Sequence, residues 1–283
     1  MNVFHTADAM RAWSEAQRAA GKTIGFTPTM GALHPGHESL MRAAAAQNDV
    51  SVLSIYVNPT QFAPHEDFNQ YPRTLEADSA LAARVGVNAI YAPADRTMYP
   101  ERYATYVDIE RITQRLCGGS RPHFFRGVAT VVSKLFNAVR PHRAYFGQKD
   151  AQQAAVIRRM TRDLDMGIEI VEMPIVREPD GLAMSSRNKY LSPGERQRAL
   201  CLSRGLSRAR DLLNAGERDP HTIIDTVQNA MSAVDIDYIE LVDAEDIIPL
   251  DRVRGTVLLA VAARVGETRL IDNIKFTVPD DEE

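Results

Sequence analysis

Thr23-Ile24-Gly25-Phe26-Thr27-Pro28-Thr29-Met30-Gly31-Ala32-Leu33-His34-Pro35-Gly36-His37-Glu38-Ser39-Leu40-Met41 begins as a strand-like run, Thr23–Thr27, crosses a turn marked by glycine and proline, and ends in a helical pattern continued by Ala44. A strand that feeds directly into a helix is the unit of a parallel sheet, because the chain must be carried back before the next parallel strand can pair. Further strand-like runs follow at Val50–Val57, Ala89–Tyr91, Ala144–Phe146 and Ile168–Val171, with helical patterns between them. The clearest is Val128, Val131, Val132, Leu135, Phe136 and Val139, which predicts one buried helical face. Together they predict an α/β fold: a Rossmann-like parallel-sheet domain over residues 1–176, with its ligands at the carboxyl ends of the strands.

Beyond Pro174 the pattern changes. Residues 193–231 read as two helices, the first with Ser192 as N-cap and Pro193 at its first position. Strand-like runs follow at Tyr238–Val242, Thr256–Val265 and Thr268–Ile274, the last two joined by a hairpin turn at Gly266-Glu267. A smaller α+β domain is therefore expected over 177–283, entered through the turn residues Arg177-Glu178-Pro179-Asp180-Gly181. The tail Pro279-Asp280-Asp281-Glu282-Glu283 is expected to fray, and no internal repeat or low-complexity segment occurs.

The 283 residues carry 33 Lys and Arg against 37 Asp and Glu, a formal net charge of −4, which argues against a nucleic-acid partner gripped by a broad basic face. A chain of this length suggests about two domains and buries about three quarters of its unfolded surface, so it needs no covalent staples. Cys117 and Cys201 lack the spacing of a disulfide framework or a zinc site, which fits a reducing, cytoplasmic setting. No apolar run approaches the roughly 18 residues of a membrane span, and the first residues lack the pattern of a signal peptide. A soluble cytosolic protein without a membrane partner is expected.

The opening stretch also carries chemistry. A helix N-terminus directly after a parallel strand offers unsatisfied backbone N–H groups to a phosphate. His34 and His37, three residues apart, share one side of the first turn and are suited to donate to phosphate oxygens, while Gly31 and Gly36 allow close approach to the backbone. Two blander readings compete. His37 shares a face with Leu40, Met41 and Ala44, as a core histidine would, and two histidines can begin a zinc site, although no third ligand stands at useful spacing. The His-x-Gly-His spacing at a strand-to-helix turn favours phosphate. A P-loop is excluded, since Gly21-Lys22-Thr23 is preceded by Ala16 where the first glycine belongs and is followed by a strand. A second constellation, Gly181-Leu182-Ala183-Met184-Ser185-Ser186-Arg187-Asn188, combines a glycine, two hydroxyls and an arginine, the content of a mobile anion clamp.

These two motifs together resemble the nucleotidyltransferase superfamily, relatives of class I aminoacyl-tRNA synthetases with HIGH-like and KMSKS-like segments that bind ATP. Within it, Pro28-Thr29-Met30-Gly31-Ala32-Leu33-His34-x-Gly36-His37, Asn58-Pro59-x-Gln61-Phe62, Glu66-Asp67-x-x-x-Tyr71-Pro72-Arg73, Phe146-Gly147-Gln148-Lys149-Asp150-x-Gln152-Gln153 and Met184-Ser185-Ser186-Arg187-Asn188 are similar to the pantothenate synthetase family. The match runs from about residue 23 to 194.

The resemblance implies an acid–amine ligase that joins (R)-pantoate to β-alanine through a pantoyl-adenylate, consuming ATP with Mg²⁺ and releasing pyrophosphate and AMP, in a homodimer. It implies catalytic roles for His34, His37, Lys149 and Arg187. It implies ATP contacts at Pro28, Met30, Gly31, Ala32, Leu33, Pro35, Gly36, Gly147, Gln148, Asp150, Val176, Met184, Ser185 and Ser186. Lys149 follows the strand Ala144–Phe146 and would bring a compact positive charge to the α-phosphate; its bland counterpart is a solvated lysine. Asp150 would accept from ribose hydroxyls or cap the following helix. Gln61 and Gln153 would hold pantoate, since an amide both donates and accepts without adding charge. Tyr71 and Arg73, in the long loop 58–72, would close over the substrate. Asp78 is a candidate to hold Mg²⁺ or, alternatively, an exposed helix acid.

One segment departs from the family pattern Arg-Pro-Gly-His-Phe-x-Gly. Here it reads Arg121-Pro122-His123-Phe124-Phe125-Arg126-Gly127, with a histidine where the family has glycine and a phenylalanine where it has histidine. Two other classes compete with the ligase. A simple nucleotidyltransferase shares His-x-Gly-His, but its phosphate acceptor would call for cations where Gln61 and Gln153 stand. A non-catalytic nucleotide-binding or interaction module would not need His34, His37, Lys149 and Arg187 together.

Overall fold

The computed structural model describes residues 1–63 and 67–279. Glu66 of the Glu66-Asp67 motif and the tail from Asp280 lie outside the described residues. The chain forms two compact units, one made of Met1–Ile109, Arg121–Gly147 and Val156–Pro174, the other of Glu110–Ser120, Gln148–Ala155 and Ile175–Glu283. Two stretches that precede residue 176 thus group with the C-terminal unit, a division that differs from a single cut at 176/177.

The elements in chain order are β1 Asn2–Phe4, α1 Ala7–Ala19, β2 Ile24–Thr29, α2 Pro35–Gln47, β3 Val50–Ile55, α3 Leu75–Arg84, β4 Ala89–Tyr91, α4 Asp95–Met98, α5 Cys117–Ser120, α6 Phe124–Val139, β5 Arg143–Gly147, α7 Ala151–Asp163, β6 Glu169–Met173, α8 Pro193–Asn214, α9 Pro220–Ala230, β7 Asp235–Asp243, β8 Thr256–Val265 and β9 Thr268–Thr277. In the first unit six strands form one sheet, in the order β1-β4-β3-β2-β5-β6, with every neighbouring pair parallel. Burial along β2 and β3 is nearly continuous, as it is where helices cover both faces of a parallel sheet. Met41, Leu53, Ala82 and Ile90 join α2, β3, α3 and β4 in one cluster, and the Phe26 ring meets Phe136 of α6 edge-on at 6.2 Å.

β2 pairs with β3 along its whole length, from Ile24↔Val50 to Thr29↔Ile55, but with β5 only at Gly25↔Arg143 and Phe26↔Ala144. The two strands therefore part before Pro28, whose missing N–H is no loss on an unpaired side. From here the chain winds one way through β3 and β4 and the other way through β5 and β6. The crevice at the carboxyl ends of β2 and β5 is the switch point at which such sheets bind ligands.

α6 carries more than the single apolar face its spacing predicts. Twelve of its 16 residues are buried, so it lies inside the unit rather than on its surface. β1, absent from the sequence reading, is a three-residue edge strand paired only with β4.

In the second unit β7, β8 and β9 form an antiparallel sheet. Gly266, at φ +59°, turns β8 into β9 in the two-residue loop between Val265 and Thr268. α8 opens with Ser192 as the expected N-cap, and Glu195 completes a capping box: Glu195 N donates to Ser192 Oγ at 3.4 Å and Ser192 N to Glu195 Oε2 at 2.9 Å. Leu202, Leu206, Ile223 and Val227 of α8 and α9 share one apolar core with Leu259, Val261 and Ile274 of the sheet. No helix among the described residues is long and apolar enough to cross a membrane.

Candidate active site

The His-x-Gly-His turn sits at the carboxyl end of β2, beside the switch-point crevice. His34 is the N-cap of α2, with extended backbone, and its Nδ1 accepts from Gly36 N at 3.1 Å. His37, at the third helical position, accepts from His34 N through Nδ1 at 3.3 Å, closing a capping box made of two imidazoles. The rings lie 4.0 Å apart, tilted by 35°, and both are half-buried, so His37 is not the core histidine of the competing reading. A ring nitrogen that accepts cannot carry a proton. The caps therefore place each ring's proton on Nε2, which makes Nε2 the donor.

The turn before the pair is bent through left-handed backbone at Gly31 and Ala32, at φ +83° and +52°. Asp78 of α3 holds it. Its carboxylate accepts from Ala32 N at 3.0 Å, Leu33 N at 2.9 Å and the Thr74 hydroxyl at 3.0 Å, and the residue is 3% exposed. A Cβ on Gly31 would stand 2.9 Å from Asp78 Oδ2, which explains glycine at this position. The exposed-acid reading of Asp78 therefore fails, and the structure gives its oxygens a task other than a metal. Among the described residues no group of three or more His, Cys, Asp or Glu side chains is placed to hold a metal ion. Gly31 N also donates within the turn, to Thr29 Oγ1 at 3.2 Å. The amides of Gly31, Ala32, Leu33, His34 and Gly36 thus serve the turn itself.

Gln61, on a 3₁₀ turn after β3, is fixed by Asn58, a residue that the sequence pattern includes without a role. Gln61 Oε1 accepts from Asn58 Nδ2 at 3.1 Å, and Gln61 Nε2 reaches Met30 Sδ at 3.2 Å. Asn58 is held in turn: its Nδ2 donates to the Gly127 carbonyl at 3.2 Å, and its Oδ1 accepts from the Tyr99 hydroxyl at 2.9 Å. Burial pushes the Tyr99 phenol up to about 12, so it remains a donor. Gln61 therefore presents its NH₂ group toward Met30. Tyr71, expected to close over the substrate, is instead 7% exposed and packs edge-on against Phe62 at 6.0 Å; Arg73 donates to its carbonyl.

His123 occupies left-handed backbone, at φ +69°, as the N-cap of α6 and makes no side-chain cap bond. That conformation is the physical reason for glycine in the family pattern, and a non-glycine residue there costs about 1–2 kcal/mol. Phe124 stacks under the Arg121 guanidinium at 3.9 Å, and Arg121 donates to the Gln61 carbonyl at 3.1 Å. The altered segment thus still supports the Gln61 turn.

The second unit holds Lys149 and the Ser-Ser-Arg segment. Lys149 lies in a 3₁₀ turn, Gln148–Asp150, between β5 and α7. The Gln148 amide, expected at ATP, donates to Asn273 at 3.2 Å, while Asp150 is exposed. Gln153 is half-buried on the first turn of α7. Its neighbour Gln152 is buried and ties α7 to the carbonyls of Ile112 and Arg115, at 2.9 and 2.8 Å. The expected mobile loop is a hydrogen-bonded hairpin: Met184 N donates to the Val176 carbonyl, Glu178 N to Leu182, and Arg177 bridges to Ala183 across the Gly181 turn. Ser185 then caps a 3₁₀ turn, Ser186–Tyr190, that carries Arg187. Lys149, Ser185, Asn188 and Asp272 line one cavity.

A parallel sheet whose switch point stands beside a paired-histidine turn at a helix N-terminus is the architecture of α/β enzymes of the nucleotide-handling kind. The family model for pantoate-beta-alanine ligase matches residues 2–275, and the chain belongs to that family. It is 55% identical over 283 residues to the pantothenate synthetase of Moorella thermoacetica, covering 99% of this chain and all of that one. Among solved structures it resembles pantothenate synthetase from Thermus thermophilus at 43% identity and a TM-score of 0.91, covering 97% and 99% of the two chains. It also resembles pantoate-beta-alanine ligase from Francisella tularensis, described as complexed with beta-gamma ATP and beta-alanine, at 30% identity and a TM-score of 0.77, covering 97% of each chain.

Proposed function

We propose that the chain condenses (R)-pantoate with beta-alanine to give pantothenate at the expense of ATP, through a pantoyl-adenylate. The observation that carries this reading is the imidazole capping box of His34 and His37, which sets two imidazoles on one helix turn beside the carboxyl end of β2. Membership of the ligase family and the ligands named for the Francisella relative support it. A carboxylate oxygen of pantoate attacks the α-phosphorus, the bond to the bridging oxygen breaks, and pyrophosphate leaves with the bonding pair. His34 and His37 donate from Nε2 to oxygens that gain charge in this step, and Lys149 and Arg187 supply cations. The neutral amine of beta-alanine then attacks the activated carbonyl, AMP leaves, and the amine's proton passes to solvent.

Gln61 and Gln153 hold pantoate in this reading. Gln61, with its carbonyl committed to Asn58, contributes donors suited to a carboxylate or hydroxyl oxygen. The turn 28–37, the residues Gly147 to Asp150, Val176 and Met184 to Ser186 contact ATP. Mg²⁺ belongs to the substrate as MgATP, and no protein ligand is assigned to it. The resemblance further supports a cytoplasmic homodimer. Labelled pyrophosphate should exchange into ATP when pantoate is present and beta-alanine absent, and ATP should be consumed to AMP only with both acids. Formation of ADP, or exchange that strictly requires beta-alanine, would overturn the adenylate mechanism.

A further inference from the structure

β9 carries two adjacent polar residues, Asp272 and Asn273, each 3% exposed. Neighbours on a strand face opposite sides of the sheet. Leu270 and Ile274 place the even-numbered positions of β9 in the apolar core, so Asn273 stands on the other side, where a small antiparallel sheet ordinarily meets solvent. The turn that carries Lys149 buries it. Asn273 Nδ2 donates to the Gln148 carbonyl at 2.9 Å and to the Lys149 carbonyl at 3.0 Å, and its Oδ1 accepts from Gln148 Nε2 at 3.2 Å. Both amide protons and the amide oxygen are thus committed to one three-residue turn.

Asp272 does the same for the other segment. It accepts from both terminal nitrogens of Arg177, at 2.7 and 3.0 Å, and Arg177 also donates to the Gly181 carbonyl at 3.0 Å inside the hairpin that leads to Ser185. Asp272 Oδ1 also accepts from Asn273 N at 2.8 Å. Lys149 and Ser185, one from each segment, line the same cavity as Asp272.

We propose that Asn273 is a positioning residue for the ligation: it fixes the backbone from which Lys149 reaches the phosphate, in register with the hairpin that Asp272 fixes from the adjacent position of the same strand. The inference rests on the role proposed for Lys149 at the α-phosphate. The amide is suited to this task by its two donors, which match two consecutive carbonyls. Serine offers one donor, and an ionised aspartate would turn lone pairs onto both carbonyls. Reacting groups displaced by about 1 Å can lose about 10²-fold in rate, so a held backbone matters even though Asn273 touches no substrate.

A double-mutant cycle tests it, read by single-turnover formation of the adenylate with enzyme in excess over ATP, which follows slow reactions. Asn273→Ala should slow the step by roughly 10-fold or more. In a Lys149→Ala background the same change should cost no more than roughly two-fold, because the group it positions is gone. Losses that simply multiply would mean general damage and overturn the inference, as would a parental rate in folded Asn273→Ala. A parental rate in Lys149→Ala would instead remove the reading of Lys149 itself, and the inference with it. Should Asn273→Ala fail to fold, Asn273→Ser retains one of the two donors and carries the same cycle, with a smaller loss expected.

Discussion

His34 has two tasks that one substitution separates. As N-cap it accepts from Gly36 N through Nδ1, and as a proposed donor it uses Nε2 on the far side of the same ring. Asparagine is among the best N-caps, but it has no ring nitrogen at that reach. His34→Asn should therefore unfold within about 1 kcal/mol of the parent, while ligation falls by roughly 10²-fold or more. His34→Ala should lose the same activity and also about 1 kcal/mol of cap. Thermal unfolding and steady-state ligation measured on both variants separate the two tasks. A parental rate in His34→Asn would take His34 out of the chemistry. Asp78 shows where residue-level reading stops. An acid in the first turn of a charged helix looks exposed, and only the positive φ of Gly31 and Ala32, which no residue spacing reveals, brings two backbone N–H groups onto it. Asn273 escapes the sequence for a related reason. It lies in a run that reads correctly as a strand, and the only signal in the sequence is a second polar residue beside Asp272 where apolar and polar positions should alternate.

At the scale of elements, the strands that hold the site are legible because their apolar runs are buried on both faces, and β2, β3 and β5 each end in a quoted motif. β1 is not, since its first two residues are exposed and three residues give no period. The start of β5 carries a further consequence. His142 joins three strands: its N–H donates to the Ile24 carbonyl, its carbonyl accepts from Glu169 N, and its Nδ1 accepts from Ile24 N at 2.9 Å. Burial first, and then the guanidiniums of Arg18 and Arg143, hold its pKa below the ordinary histidine value, while Asp49 opposes them. Unfolding therefore takes up a proton in the window below about pH 6.5. The stability this ring contributes is complete above that pH and is lost as pH falls through the lowered folded value. Urea unfolding between pH 7.5 and 5 should show a shallower decline in His142→Asn, which retains an acceptor for Ile24 N but does not titrate. Equal declines in the two proteins would assign the pH dependence to other groups.

At the scale of the whole molecule, hydrophobic pattern predicts a cut at 176/177, whereas contacts place Glu110–Ser120 and Gln148–Ala155 with the second unit. Pattern follows the apolar core, and that core does change hands near residue 177: every buried residue of the second cluster lies between Leu182 and Val278. The two earlier stretches contribute no residue to that cluster, their buried Ile112, Leu116 and Ala154 lying outside it, and they bind the second unit through hydrogen bonds. Arg115 and Leu116 bind Glu240, Ser120 binds Asp237, and Gln148 binds Asn273. Pairs such as Arg115–Glu240, with the arginine about half exposed, contribute at most about 1 kcal/mol, and Asn273 without its turn would be rehydrated. A fragment of roughly 100 residues with a complete core is large enough to fold alone. The fragment 177–283 should therefore show a cooperative thermal transition by circular dichroism, at a lower midpoint than the full chain. Lacking His34, His37 and Lys149, it should have no ligase activity. If it melts without a cooperative transition, the stretches 110–120 and 148–155 are required to form the second unit, and the core argument is wrong.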